Sequence, residues 1–333
     1  MSSVKFAVIG LGNIGARHVQ HIQAHPQAEL AAICDIDPFK KSIAAVPFYT
    51  ELQEMLAGQS IDVLNVCTPN YLHHPHTLQA LEAGVHVVCE KPMAISTTQA
   101  TAMTDAAART QKQIFVVKQN RYNPPVQAVK QLLQQGSLGK VYMVQVNCFW
   151  NRNEHYYAQS DWRGTKAMDG GCLFTQFSHF VDILFYLFGY CKTLHSVSHN
   201  FAHTYTEVED TGSCIMQTEN GALVNFNYST CAYEKNMEGA ITILAEHGTV
   251  KIGGQYLNTI EYQHLLGEQL PAINITAKNN EYGLYQGSMS NHDKVISNVV
   301  NTLHGTETVM TNAHEGTQVV KMIEEMYGIA LAT

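Results

Sequence analysis

The stretch Val4-Lys5-Phe6-Ala7-Val8-Ile9-Gly10-Leu11-Gly12-Asn13-Ile14-Gly15 decides the fold of the N-terminal part of the chain. A short, nearly continuous apolar run leads straight into Gly-x-Gly-x-x-Gly, and a helix-length segment follows. Such a run reads as a parallel strand covered on both faces. The glycines permit a tight turn, close approach of the backbone to a pyrophosphate, and close packing of helix on strand. The helix N-terminus behind them offers free N–H groups and the positive end of its dipole to phosphates. Asp35 closes the next apolar run, 20 residues after Gly15. A carboxylate there accepts hydrogen bonds from the adenosine ribose and repels a 2′-phosphate, which favours NAD over NADP. Gly10, Gly12, Asn13, Ile14, Gly15 and Asp35 are therefore cofactor-binding candidates, while Asp37 reads as a solvated helix-start residue.

Working outward, apolar runs at 4–9, 30–34, 61–67, 85–89 and 114–117 alternate with helical segments at 14–24, 38–45, 52–57, 77–83 and 98–110. Ser96 and Gln99 have capping-box spacing at the start of the last helix. This alternation predicts an α/β fold with a Rossmann-type, doubly wound parallel sheet. The rhythm changes at Asn123-Pro124-Pro125, where proline opens a linker helix reaching residue 135. Beyond it, residues 142–150 and 222–228 alternate apolar with polar, and further strands are expected at 211–217, 239–245 and 249–253. Period-two alternation signals an antiparallel sheet with unlike faces. Helices near 174–188 and 313–331 complete an α+β domain with an open, mostly antiparallel sheet. The predicted domains are 1–122 and 123–333, the second for substrate binding and oligomerisation.

The 333 residues are 45% hydrophobic and 14% charged, a globular composition. A formal charge of −8 argues against a general nucleic-acid binder. The 8 cysteines contain no C-x-x-C pair and several sit in apolar runs, which fits a reducing cytoplasm. No apolar run approaches the roughly 20 residues needed to span a bilayer, so a membrane association is not expected. The 17 histidines invite a metal reading. His73, His74 and His76 cluster around Pro75, and His18, His21 and His25 have near-helical spacing on what reads as an exposed face. Neither group has Cys or Glu at zinc-site spacing, so no metal is expected.

Two further segments follow strands of the first sheet: Thr68-Pro69-Asn70-Tyr71-Leu72-His73, and Glu90-Lys91-Pro92. With the glycine fingerprint, and with Asp161-Trp162-Arg163-Gly164, Asp169-Gly170-Gly171 and Phe177-Ser178-His179-Phe180-Val181-Asp182, they make the whole chain resemble the Gfo/Idh/MocA oxidoreductase family. The resemblance implies NAD(P)-linked oxidation or reduction of sugar and polyol carbons, and a homodimer or homotetramer. It adds Thr68, Pro69, Asn70, His73, Glu90, Lys91, Trp162 and Arg163 as cofactor contacts, and Lys91 and His179 as the catalytic pair.

The chemistry supports those two roles. Removing a hydride from a secondary alcohol requires its O–H proton to leave as well, and His179 is an ordinary acceptor near neutrality. A Lys91 ammonium stabilises developing alkoxide; alternatively, Lys91 with its pKa lowered by desolvation is itself the base. Inositol-dehydrogenase-like members carry Asp or Asn four residues before this histidine, where this chain has Thr175, followed by Gln176. Asp182 is expected to face elsewhere or cap local structure.

The segment 117–125, the stretch 147–153 and Ser290-Asn291-His292-Asp293-Lys294-Val295 resemble the sugar-nucleotide 3-dehydrogenases acting on UDP-N-acetyl-2-amino-2-deoxyglucuronate, enzymes of bacterial surface-polysaccharide synthesis. That resemblance implies a secondary alcohol of a UDP-linked N-acetylhexuronate as the reacting group. Arg121, Arg152, Arg163 and Lys166 gather in one stretch, and arginine's planar fork suits carboxylate or pyrophosphate. Tyr156, Tyr157 and Trp162 offer stacking surfaces. Substrate-binding candidates are Lys91, Asn120, Arg121, Arg152, Thr175, Gln176, His179 and His292. A dehydrogenase of a free monosaccharide or inositol, and a non-catalytic NAD-binding regulator on the same fold, are the alternatives.

Overall fold

The computed structural model describes residues 2–267, 269–270, 279–281 and 286–328. They form two compact units, Met1–Lys118 with His292–Val320, and Gln119–Asn291 with Lys321–Thr333.

In the first unit, β1 (Val4–Ile9), β2 (Ala28–Cys34), β3 (Phe48–Tyr49), β4 (Val63–Val66), β5 (His86–Cys89) and β6 (Ile114–Val116) form one parallel sheet. Its order is β3-β2-β1-β4-β5-β6, so the winding reverses between β1 and β4. Ligands bind outside the carboxyl ends of the strands at such a reversal. Phe6, Ala7 and Val8 are wholly buried, as strands covered on both faces require. Ser96 Oγ accepts the Gln99 N–H at 3.2 Å, while Gln99 Oε1 reaches back to the Ile95 N–H at 3.3 Å. The capping spacing is thus realised, with the return bond one residue earlier than in the standard box.

Two local expectations change. The segment read as a helix over 38–45 is a 3-10 turn, Pro38–Ile43, because none of its residues is buried and nothing packs it into a longer helix. Asp37 caps it, accepting the Phe39 N–H at 3.0 Å. β3 escapes sequence reading because two residues carry no periodicity.

A larger difference lies late in the chain. Helix His292–Leu303 packs on helix Asn13–Ala24 of the first unit through a face including Val295, Ile296, Val299 and Val300. Val116 N–H donates to Thr311 O at 3.0 Å, so this returning segment also bonds the edge strand β6. A linear boundary at 122/123 does not anticipate the return, because an amphipathic helix does not announce which sheet it will cover.

The second unit is built on β7 (Val141–Phe149), β8 (Cys191–His199), β9 (Thr211–Thr218), β10 (Leu223–Ser229), β11 (Glu238–Ala245), β12 (Gly248–Gly253) and β13 (Thr259–Leu265). The sheet order is β13-β12-β11-β7-β10-β9-β8. β7 and β10 run parallel and the other pairs antiparallel. Val144, Val146 and Cys148 of β7 and Val224, Phe226 and Tyr228 of β10 point inward. Phe177 and Phe180, at the start of helix Ser178–Phe188, pack under them; the Phe177 and Tyr228 rings lie 5.5 Å apart. The opposite face is open. The register places His195, Ile215, Asn225, Gln145, Thr242, Lys251 and Tyr262 in one continuous row across it. The edge strands β8 and β13 are not legible in the sequence, because most of their residues are exposed and no clean alternation survives. The closing helix is Ala313–Met326; residues 329–331 of the expected 313–331 lie outside the described residues. Among the described residues no helix is long and apolar enough to cross a membrane.

Candidate functional site

The glycine turn has the shape its spacing predicts. Gly10 sits at φ +85°, and a Cβ there lies 2.7 Å from Cys67 O; a Cβ on Gly15 lies 1.8 Å from Gly10 O. Neither residue tolerates a side chain. Gly12 differs, since a Cβ there meets nothing within 4 Å, leaving open space beside the start of helix Asn13–Ala24. That helix has no side-chain cap bond and no acid in its first turn, so its N–H groups suit an anion. Asp35 Oδ2 accepts the Leu11 N–H at 2.6 Å and Oδ1 the Asp37 N–H at 2.9 Å. The carboxylate therefore braces the glycine turn from the end of β2. These residues fit a dinucleotide: a bare backbone edge for pyrophosphate, and a carboxylate one strand away.

Thr68-Pro69-Asn70 follows β4 and Glu90-Lys91-Pro92 follows β5, both at carboxyl ends. His73 ties the two loops together. Its Nδ1 is 2.6 Å from Pro92 O and its Nε2 2.7 Å from Thr68 O. Burial lowers its pKa despite both carbonyls. The Lys91-Pro92 bond is cis.

Glu90 is buried, and its Oε1 lies 2.8 Å from His18 Nε2 and 3.5 Å from His292 Nε2. Asn65 Nδ2 holds the other nitrogen of His18 at 2.7 Å. Burial acts to raise the Glu90 carboxyl, but the bonds and charges of the two imidazoles override it and hold the group well below its ordinary value. The expectation of an exposed histidine face is thereby corrected. His18 is fully buried, and the His21 ring stacks 6.2 Å from that of His292, with burial pushing its pKa down to about 4. His292, expected at the substrate and here 1% exposed, belongs to this buried group of the first unit, where the chain's return brings it to Glu90.

In the second unit, His179 opens helix Ser178–Phe188 and is 4% exposed. Just before it, Thr175 Oγ1 donates to Asp169 Oδ1, while Asp169 Oδ2 accepts the Gly164 N–H at 2.7 Å. Gln176 Oε1 accepts from Arg152 Nε at 2.8 Å, and its Nε2 donates to Tyr156 Oη at 2.6 Å. Arg152 Nη1 also donates to Asn236 Oδ1 at 3.2 Å. The Arg152 guanidinium stands 5.3 Å from the Tyr156 ring centre and that of Arg163 4.6 Å, so two cations flank one aromatic ring. Arg163 also stands 5.7 Å from the Trp162 ring.

The expected gathering of basic residues is only partly formed. Arg121 is withdrawn from it: Nε donates to Asp182 Oδ2 at 2.9 Å and Nη2 to Oδ1 at 2.8 Å, with both side chains fully buried. A fork-on-fork pair of this kind satisfies the guanidinium inside the protein. Asp182, one turn after His179, thus anchors the 3-10 turn Gln119–Tyr122 to the histidine's helix. The neighbouring Asn120 is 2% exposed, and neither its amide oxygen nor its nitrogen has a hydrogen-bond partner. Lys166 is exposed, its backbone N–H donating to Glu207 Oε2 at 2.9 Å. Asn236 and the Tyr156–Gln176 bond were not anticipated; no local pattern marks partners supplied by distant segments.

Residues 4–118 match the oxidoreductase family with an NAD-binding Rossmann fold, and residues 126–251 match the GFO/IDH/MocA C-terminal domain. The fold resembles the WlbA dehydrogenase of Bordetella pertussis in complex with NADH and UDP-GlcNAcA, with 34% identity, 98% of this chain and 96% of that one covered, and a TM-score of 0.88. The WlbA dehydrogenase of Chromobacterium violaceum, in complex with the same two molecules, is also 34% identical, with coverages of 98% and 93% and a TM-score of 0.89. The D-glucoside 3-dehydrogenase of Escherichia coli (strain K12) is 24% identical, covering 98% of this chain and 95% of its own. With both halves matched, and with a third of its residues shared with relatives along nearly its whole length, this chain belongs to the Gfo/Idh/MocA family of NAD-dependent sugar oxidoreductases.

Proposed function

We propose that the protein oxidises the C3 hydroxyl of a UDP-linked N-acetylhexuronate, with NAD as hydride acceptor. The observation that carries this reading is the pair Arg152 and Arg163 flanking Tyr156, joined through Gln176 to the helix of His179. Two guanidiniums and an aromatic face suit an anionic substrate with flat rings. The likeness to two structures that hold NADH and UDP-GlcNAcA supports the same class.

In this reading Gly12 and the start of helix Asn13–Ala24 hold the pyrophosphate and Asp35 the adenosine ribose. NAD, when bound, supplies the acceptor for the hydride leaving C3. The hydroxyl proton passes to His179 or Lys91, and an ammonium at Lys91 stabilises the developing negative oxygen. Asn120 offers its open amide to the substrate, and Thr175 and Gln176 set the approach to His179. We place the enzyme in the cytoplasm, which suits its free thiols. The exposed Ile215, Leu223, Leu244 and Tyr262 on the open sheet face support a homodimer or homotetramer.

The test is nicotinamide absorbance on adding UDP-N-acetylglucosaminuronate to the purified protein, with and without 2-oxoglutarate as reoxidant. Reduction by the uronate and not by UDP-N-acetylglucosamine or inositol is expected. Turnover of a free sugar that UDP does not inhibit refutes the nucleotide reading, and no reduction by any sugar favours a regulator on the same fold.

A further inference from the structure

His203, Asp210 and Cys231 lie far apart in the chain, but the second unit brings their ligand atoms within 4.8 Å of one another. We propose that these three residues form a zinc site whose fourth position is open to water. The cluster uses none of the dinucleotide or sugar residues assigned above, although Cys231 is β-bridged to Asn151, beside Arg152.

Three observations argue for it. The first is spacing. Cys231 Sγ lies 3.9 Å from His203 Nε2. Tetrahedral zinc with ordinary Zn–S and Zn–N bonds places sulfur and nitrogen about 3.6 Å apart. A shift of a few tenths of an ångström brings this pair to that spacing. The second is orientation. His203 Nδ1 is 2.9 Å from Tyr205 Oη. The ring also meets the Thr230 carbonyl; binding a metal requires the tautomer that donates Nδ1–H to Tyr205 and leaves Nε2 for the ion, and ligating histidines are commonly fixed by such an outer bond. The third is an unmet acceptor. Asp210 is fully buried, and its Oδ2 accepts the N–H groups of Phe201, Ala202 and His203 at 2.8, 2.7 and 3.2 Å. Its Oδ1 is buried and receives no hydrogen bond of good geometry, with the Thr211 hydroxyl and the Cys231 thiol as its neighbouring donors. A cation there would take the place of those poorly placed donors.

Access separates this cluster from the other ligand-type group, His18, Glu90 and His292. There all three side chains are buried and His18 already bonds Glu90 directly at 2.8 Å. Here Cys231 is exposed and supplies a route for the ion. A thiolate with imidazole and carboxylate is a donor set zinc accepts.

A bound ion ties the loop between β8 and β9 to the end of β10. That loop in turn holds the Asp161–Gly164 stretch and the segment before His179. Glu207 N–H donates to Gly164 O at 2.8 Å, and Glu209 Oε1 accepts the Cys172 N–H at 3.0 Å. The metal is therefore a structural brace under Trp162 and Arg163. Its sequence signal is absent because the ligands come from two separate segments, away from the histidine clusters.

The experiment is a cobalt(II) titration of the full chain, stripped with chelator and kept reduced, followed by absorbance. The expected result is one equivalent of tightly bound cobalt, a thiolate-to-cobalt charge-transfer band, and displacement by zinc. Cys231→Ser, a surface change that leaves the core intact, should abolish the band, and His203→Gln should weaken binding at least tenfold. Absence of the band in the unmodified protein overturns the proposal. So does a band that survives Cys231→Ser, which places the metal elsewhere.

Discussion

Replacing Asp182 with Asn tests whether Arg121 serves the fold or the substrate. The change is isosteric and removes one charge from a pair in which both side chains are wholly buried. Two hydrogen bonds, at 2.9 and 2.8 Å, then face a neutral amide whose NH2 opposes a guanidinium N–H. Breaking a buried pair by removing one partner costs about 3–5 kcal/mol, since the remaining charge is left uncompensated away from water. The Arg121 guanidinium keeps its other contacts, the Tyr186 ring 4.9 Å away among them, which soften the loss. A body of this size loses roughly 2–4 °C of Tm per kcal/mol, so the expected drop is on the order of 10 °C. Calorimetry of the variant, with NAD affinity measured in parallel, is the assay. NAD binding should survive below the lowered Tm, because the glycine turn belongs to the other unit. Substituting both residues, Arg121→Met with Asp182→Leu, should recover much of the loss, as apolar replacements of buried pairs often do. A variant with unchanged Tm and a raised KM for the sugar nucleotide would falsify the structural assignment and return Arg121 to the substrate site.

The other predictions concern the turn, the catalytic pair and pH. Gly15→Ala should be poorly folded, since its Cβ would lie 1.8 Å from Gly10 O, whereas Gly12→Ala should keep the Tm and weaken NAD about tenfold or more; equal effects from the two changes contradict the cradle. Lys91→Ala and His179→Ala should each lower kcat by about 10²–10⁴ with NAD Kd nearly unchanged, and near-full activity in both variants removes the assignment. Burial pushes Glu209 up to about 7 from 4.5, so the folded chain keeps a proton that the unfolded chain has released at neutral pH. Its contribution to stability is full below 4.5 and lost as pH rises through about 7, and Glu209→Gln should flatten Tm against pH across that window; an unchanged slope rules the group out.

Much of the first unit was legible because its signals are local. The β1 run, the glycines and Asp35 lie within one strand–turn–helix–strand unit, and the structure returns them as a cradle with an open side at Gly12. Ser96 and Gln99 were legible for the same reason. The alternation of β7 and β10 marked a sheet packed on one face, and Val224, Phe226 and Tyr228 are indeed buried. Edge strands β8 and β13 lacked that mark because water meets them on more than one side.

By itself the sequence determined the parallel sheet, the dinucleotide turn, the change to an alternating second sheet and the residues adjoining His179, since each is written in neighbouring residues. Only the tertiary structure decided what those residues touch. It spent Arg121 on Asp182, enclosed His18 and His292 around Glu90, aimed Arg152 and Arg163 at Tyr156, and gathered His203, Asp210 and Cys231. A charged side chain taken out of water must find its partner in space, and the closing of a fold brings that partner from a segment whose position no local pattern records.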